Sequence, residues 1–188
     1  MSGKSLLIGF FIAVQSFIIA GTHSACAQSG ALKVIIIRHG EKPVDGDNLS
    51  CAGMNRALKL SAVITQKFGK PDFAYAPAPS TGKATKNVRM LQTLWPLAIK
   101  YNLNINTKYA VGQTSALAAN LLKRTGTVIV VWEHDNIPAI VTALGITDKK
   151  LKWKGENYDD IWIVTIDGKK RTLSKDSEGI NPGSTCTF

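Results

Sequence analysis

A chain of 188 residues, 45% hydrophobic and 19% charged, has the composition of a globular domain and not of a disordered or low-complexity segment. Its formal charge of +10 describes a surface that attracts anions: phosphorylated small molecules, polyanions or lipid head groups. Basic and aromatic residues do not interleave as they do in nucleic-acid readers, so nucleic acid is not an expected partner.

In chain order, the first 27 residues read as a secretory leader. Lys4 supplies a positive start, Leu6 to Ala20 is apolar, and Ala25-Cys26-Ala27 places small residues where a signal peptidase reads. Cleavage after Ala27 is expected, with a mature start at Gln28 and a single domain over 28–188, carrying +9 once Lys4 has gone. The apolar stretch is interrupted by Gln15 and Ser16 and is shorter than the ~20 residues a membrane span needs. No stable span is therefore expected after cleavage, and the location is periplasmic or secreted. A lipid anchor on Cys26 is disfavoured by His23, which stands where an apolar residue would be wanted. Cys51 and Cys186 remain in the mature chain; in an oxidising compartment they can pair and tie down the tail. No cysteine or histidine spacing suggests zinc.

Lys33-Val34-Ile35-Ile36-Ile37 is a β-branched apolar run that ends in Arg38-His39-Gly40-Glu41. It reads as a buried strand whose carboxyl end carries polar groups, which is where ligands bind in open α/β sheets. Ser50 is positioned to cap a helix running to about Phe68, ended by Gly69-Lys70-Pro71. Asp72 to Ala76 reads as a second short strand. After a loop over Pro77 to Gly82, a helix is expected from about Thr85 to Tyr101, kinked or broken at Pro96. Asn104 to Lys108 reads as an edge strand, Ser115 to Lys123 as a short helix. Thr127 to Trp132 is apolar without alternation, as in a strand covered on both faces. It too ends in polar residues, Glu133-His134-Asp135-Asn136, before a helix from Ile137-Pro138 to Leu144-Gly145. Ile161 to Ile166 and Lys169 to Leu173 flank Asp167-Gly168, a hairpin turn signal. Strands that alternate with helices until this antiparallel end make an α/β fold: three layers, a mostly parallel central sheet and helices on both faces.

Two strands thus end in histidine, Arg38 adjoins the first, and Arg89 opens the helix after the second strand, followed by Gln92-Thr93. Two guanidiniums and two imidazoles at one sheet edge suit a tetrahedral dianion, since the guanidinium fork matches phosphate oxygens. Here the chain resembles the histidine phosphatase superfamily, the phosphoglycerate mutase-like proteins, as a small exported member. Arg38-His39-Gly40-Glu41 matches its signature. Arg89-Met90-Leu91-Gln92-Thr93 running on to Pro96-Leu97-Ala98 is similar to its pocket helix, and Val130 to Asn136 with Ile137-Pro138 is similar to its second histidine turn.

The resemblance implies a phosphohydrolase that cleaves a phosphomonoester through a phosphohistidine, with no cofactor and no metal. It implies His39 as nucleophile, its pKa held down by neighbouring cations, with Arg38, Arg89 and His134 holding phosphoryl oxygens. Asp135 resembles the acid of a His-Asp pair, although an Asp ahead of a helix is often an N-cap; Glu133 and Glu41 are the other candidate acids. The Ser-Ser-Pro that usually precedes the pocket arginine is replaced by Ala76-Pro77-Ala78-Pro79-Ser80 and a longer insert through Lys83 and Lys86. Arg56 is read as structural. The alternative on the same fold is a non-catalytic module that binds phosphate or polyanions. A metal site built from His39, His134, Asp135 and Glu41 is a further rival that Arg38 and Arg89 oppose. Substrate choice is expected from loops at Val44 to Asn48, Pro77 to Lys86 and Lys149 to Asn157.

Overall fold

A computed structural model describes residues 30–80, 82, 84–186 and 188. The leader read over 1–27 lies outside them. The elements run β1 (Leu32–Arg38), α1 (Cys51–Phe68), β2 (Phe73–Tyr75), α2 (Arg89–Tyr101), β3 (Ile105–Asn106), α3 (Thr114–Leu121), β4 (Gly126–Trp132), α4 (Ile137–Ala143), β5 (Asp160–Asp167) and β6 (Lys170–Ser177). They form one sheet of order β3-β2-β4-β1-β5-β6. β3, β2, β4 and β1 are parallel, whereas β5 and β6 form an antiparallel hairpin joined to the edge of β1.

Alternation along the two central strands divides the core. Val34, Ile36, Val128 and Val130 pack with Leu117 and Leu121 of α3 and Ile137 and Val141 of α4. Their neighbours Ile35, Ile37, Ile129 and Val131 pack with Leu60 and Ile64 of α1 and Leu94 and Leu97 of α2. Because helices cover both faces, these strands carry unbroken apolar runs, as the sequence pattern requires.

Several boundaries depart from the sequence expectation. α2 starts at Arg89 and not near Thr85, because Ser80 and Lys86 pair across a short antiparallel bridge and Asn87 takes a left-handed φ of 57°. Asn tolerates that conformation better than most residues. The expected break at Pro96 does not occur: α2 runs through it, held on both sides by buried Met90, Leu94, Leu97 and Ala98. β6 extends to Ser177, past Leu173. Its mostly exposed, polar residues hide the strand from pattern reading, but its backbone pairs with β5 over the whole length.

The tail returns to the start of α1. Cys51 and Cys186 form a disulfide with their Cα atoms 4.8 Å apart, and the Asn55 amide donates to the carbonyls of Gly183 and Thr185 at 2.8 and 2.7 Å. One helical turn deeper, Arg56 is 4% exposed and bonds to Glu41 (2.8 Å), Asp159 (3.1 Å), Glu178 (2.7 Å) and the carbonyl of Ile180 (3.1 Å). Burial acts to lower the Arg56 pKa, but its bonds to Glu41 and Glu178 reverse this and hold it above its ordinary value. Burial pushes the Glu178 carboxyl up to about 7 against the pull of Arg56. Removing one partner of such a cluster strands the others, at a cost of about 3–5 kcal/mol. Arg56→Met is therefore expected to lower unfolding free energy by about that amount in urea titrations. A loss within the ±0.5 kcal/mol typical of surface substitutions would show that the cluster holds nothing together.

Candidate active site

Pairing of β1 with β4 puts Arg38 opposite Trp132, and the His39 amide donates to the Trp132 carbonyl at 3.2 Å. The two strands therefore end side by side, His39 directly after one and His134 two residues after the other. Arg38 and His39 are 2% and 4% exposed. His39 Nδ1 lies 2.7 Å from the Gly40 carbonyl oxygen. A carbonyl only accepts, so Nδ1 carries the proton and Nε2 keeps its lone pair. Burial, with the charges of Arg38, Arg89 and His134, lowers the His39 pKa from 6.5 to about 4, although the Gly40 bond opposes the shift.

The turn after His39 is held from two directions. The Gly40 amide donates to Thr93 Oγ1 at 2.9 Å, and Thr93 in turn donates to the Arg89 carbonyl at 2.8 Å. On its other side a Cβ on Gly40 would stand 2.7 Å from the Gly53 carbonyl oxygen of α1. Only glycine fits at that approach.

The first turns of α2 use each residue of the Arg89-x-x-Gln92-Thr93 motif differently. Arg89 shares a cavity of about 130 Å³ with His39, Glu133, Asn87, Met90 and Val111. Its guanidinium is steadied by the carbonyls of Asp47 and Gly46, both at 3.4 Å. Gln92 accepts from the Leu49 amide at 2.9 Å and donates to Asn48 Oδ1 at 2.8 Å, so it pins the segment ahead of α1.

Arg38 donates through Nη1 to the Gly155 carbonyl and to that of Asn157 at 3.3 Å. Its Cζ lies 3.8 Å from the centroid of the Tyr158 ring, which also meets His39 edge-on at 6.1 Å. Burial lowers the Arg38 pKa. The Lys149 to Asn157 loop thus reaches the site through its backbone. The His134 ring packs close to Gly155, and burial followed by the Arg38 charge lowers its pKa. Arg38 Nε and His134 Nδ1 are buried and meet no hydrogen-bond partner.

Of the three candidate acids, Glu133 lines the cavity, with Oε2 accepting from the Asn136 amide at 2.6 Å. Asp135 has a side chain 73% exposed, with Oδ1 3.3 Å from His134 Nε2. Glu41 is turned away to Arg56. Neither Asp135 nor Asn136 caps α4 through its side chain. Among the described residues no group of three or more His, Cys, Asp or Glu is placed to hold a metal ion, and no helix is long and apolar enough to cross a membrane. Lys86 is exposed, and Lys83 lies outside the described residues.

Sequence reading names His39 and Arg89, which the fold brings to one cavity, and Arg38 and His134, whose charges act on His39 beside it; of its acids, Asp135, the one it favoured, is not among the residues lining that cavity, and Glu133, an alternative, is. It misses Tyr158 and Gly53. Tyr158 precedes β5, and only the antiparallel pairing that sets Ile161 against Ile37 carries it to the end of β1. No local signal marks it.

No family model and no curated protein matches this chain by sequence. Solved structures do match by shape. The protein histidine phosphatase SixA, determined with tungstate, aligns over 78% of this chain and 97% of its own, at 18% identity and a TM-score of 0.53. A putative phosphohistidine phosphatase SixA from Agrobacterium tumefaciens aligns over 80% and 98%, at 15% identity and 0.51. A mycobacterial glucosyl-3-phosphoglycerate phosphatase with inorganic phosphate aligns over 77% and 95%, at 14% identity and 0.52. The chain has the phosphoglycerate mutase-like fold of the histidine phosphatases.

Proposed function

We propose that the protein is a phosphohydrolase that cleaves a phosphomonoester through a phosphohistidine on His39. The observation that carries this reading is the state of His39: Nδ1 is tied to the Gly40 carbonyl, and the ring shares its cavity with the Arg89 guanidinium. That leaves a lone pair on Nε2 beside a cation suited to phosphoryl oxygens. Neighbours of the same fold bind tungstate and inorganic phosphate, both tetrahedral oxyanions. The buried, unpartnered Nε of Arg38 is a further donor for such an anion.

In the first step Nε2 attacks phosphorus, the P–N bond forms and the ester P–O bond breaks. The electron pair leaves on the ester oxygen, which takes a proton from a carboxylic acid. Glu133 is the carboxyl group on the cavity wall and serves as that acid; Asp135, expected in this role from sequence, supports His134 instead. In the second step water attacks the phosphohistidine, its proton passes to the Glu133 carboxylate, and phosphate leaves with His39 restored. The cations act on the charge that shifts among the phosphoryl, attacking and leaving atoms in the transition state, which is where phosphoryl transfer gains most of its rate. We also propose export, supported by the leader-like residues 1–27 and by the Cys51–Cys186 disulfide; a mature N-terminus at Gln28 is the expected result of sequencing the secreted protein.

Alkaline-quenched trapping with a labelled aryl phosphate is expected to place one phosphoryl group on His39, and His39→Ala to lower kcat/KM on the order of 10³-fold or more. Anion binding without turnover in the parent protein would identify a binding module. Glu133→Gln is expected to lower kcat/KM roughly 10²- to 10⁴-fold with alkyl phosphates, and far less with nitrophenyl phosphate, whose leaving group needs no proton. If Asp135→Asn shows that leaving-group pattern and Glu133→Gln does not, the two roles are exchanged.

The His39 pKa near 4 sets the pH dependence. The lone pair persists down to about pH 4, so the acid limb of kcat/KM, corrected for substrate ionisation, is expected there and not near 6.5. Because the unfolded chain protonates His39 first, its contribution to stability is complete above pH 6.5 and is lost as pH falls toward 4. NMR titration of the imidazole checks the midpoint directly; a value near 6.5 would remove the physical basis of this assignment.

A further inference from the structure

A second concavity, of about 260 Å³, lies between α1 and α2 beneath the C-terminal tail. Leu49, Met54, Trp95, Phe188 and the Cys51–Cys186 disulfide form its apolar walls. Its remaining lining is Asn48, Ser50 and Gln92, and among the described residues no charged side chain lines it, in a chain of net charge +10. Those polar side chains are already engaged. Gln92 bonds to Asn48 and Leu49, while Ser50 Oγ donates to the Glu41 carbonyl and accepts from the Gly53 amide. Nothing in this groove selects a polar ligand, and an apolar one displaces no bond within it.

The groove and the anion cavity are neighbours along α2. Gln92 lines the former and Arg89 the latter, and residues three apart on a helix lie about 5–6 Å apart at Cβ. Between them runs the bend at Gly46–Asp47, whose carbonyls face Arg89. On that bend stands Val44, an apolar side chain 101% exposed. Farther along, Trp95 is 43% exposed and Phe188 64% exposed. A ligand whose phosphate sits at His39 and Arg89 can therefore pass over Val44 and lay an apolar portion against Trp95 and Phe188.

We infer that this groove is the subsite for the leaving group, and that the preferred substrate is an amphiphilic phosphomonoester with an alkyl or aryl portion. The inference rests on the phosphohydrolase reading above. Burial of each methylene is worth a roughly fourfold gain in binding. With n-alkyl phosphates of rising length, kcat/KM is expected to climb about two- to fourfold per methylene until the groove fills.

Trp95→Ala and deletion of Phe188 are expected to flatten that slope. Ile99→Ser, which removes a more exposed apolar residue of the same helix outside the groove, is expected to retain it. Melting curves establish that each variant is folded; Trp95 and Phe188 are exposed enough that at least one will be. Turnover of the whole series with no chain-length dependence, or a slope lost equally in Ile99→Ser, overturns the subsite and leaves the phosphohydrolase standing. No turnover of any member, and none of nitrophenyl phosphate, overturns the activity itself.

Discussion

One buried cation holds the back of the site in place. Arg56 projects from the second turn of α1 into a space bounded by Glu41, Asp159, Glu178 and the Ile180 carbonyl. The partners come from three segments, and two of them adjoin the site: Glu41 follows His39 by two residues, and Asp159 follows Tyr158. A carboxylate on flexible backbone would leave the turn after His39 free to move. With Glu41 bonded through both oxygens to a guanidinium 4% exposed, that turn has one position. Gathering three carboxyl groups on one cation overcompensates its charge, and burial answers by pushing Glu178 up to about 7.

Arg38 is equally buried, and its environment is chemically opposite. Its acceptors are the carbonyls of Gly155 and Asn157, with the Tyr158 ring stacked on its plane. Carbonyl dipoles and a ring face offset part of the desolvation cost without cancelling the charge. Arg89 rests on carbonyls as well, with the Asp47 carboxylate no nearer than 4.0 Å. A cation matched by carboxylates stabilises the fold; one supported only by carbonyls retains a field for a ligand. Burial is the largest cause of the lowered His39 pKa, and that retained field adds to it, so the groups that would bind an anion also favour an unprotonated His39.

This contrast explains what could be read from sequence. Signals carried by a few adjacent residues were legible: the two apolar strands ending in His39 and His134, the Ser50 cap, the turn at Asp167-Gly168. The helix start near Thr85 failed because a bridge between Ser80 and Lys86, not propensity, sets the boundary. Of the kink or break expected at Pro96, the break does not occur, because buried residues on both sides outweigh one missing hydrogen bond. The signature at Arg38-His39-Gly40 separates Arg38 from Arg56 in sequence, but nothing local shows how either is held, since acceptors at Gly155, Asp159 and Glu178 lie more than a hundred residues away. Glu133 and Asp135 are separated by one imidazole in sequence, yet one lines the cavity and the other faces solvent, a difference set by how the chain leaves β4.

The first two turns of α1 connect these features. Helical spacing sends Gly53 and Arg56 toward the turn after His39, and Cys51, Met54 and Asn55 toward the groove and the tail. The tail is thus fastened at two depths, by a covalent bond at Cys186 and by the Ile180 carbonyl on Arg56, and past Cys186 it presents Phe188 to the groove. A disulfide spanning 135 residues removes far more freedom from the unfolded chain than a local one. Here it also builds a wall: the same bridge that stabilises the fold supplies the sulfur surface against which Met54 and Trp95 pack. Stability and groove shape are therefore coupled through one helix end, and a change at Cys51 or Gly53 acts on the turn that holds His39 without touching it.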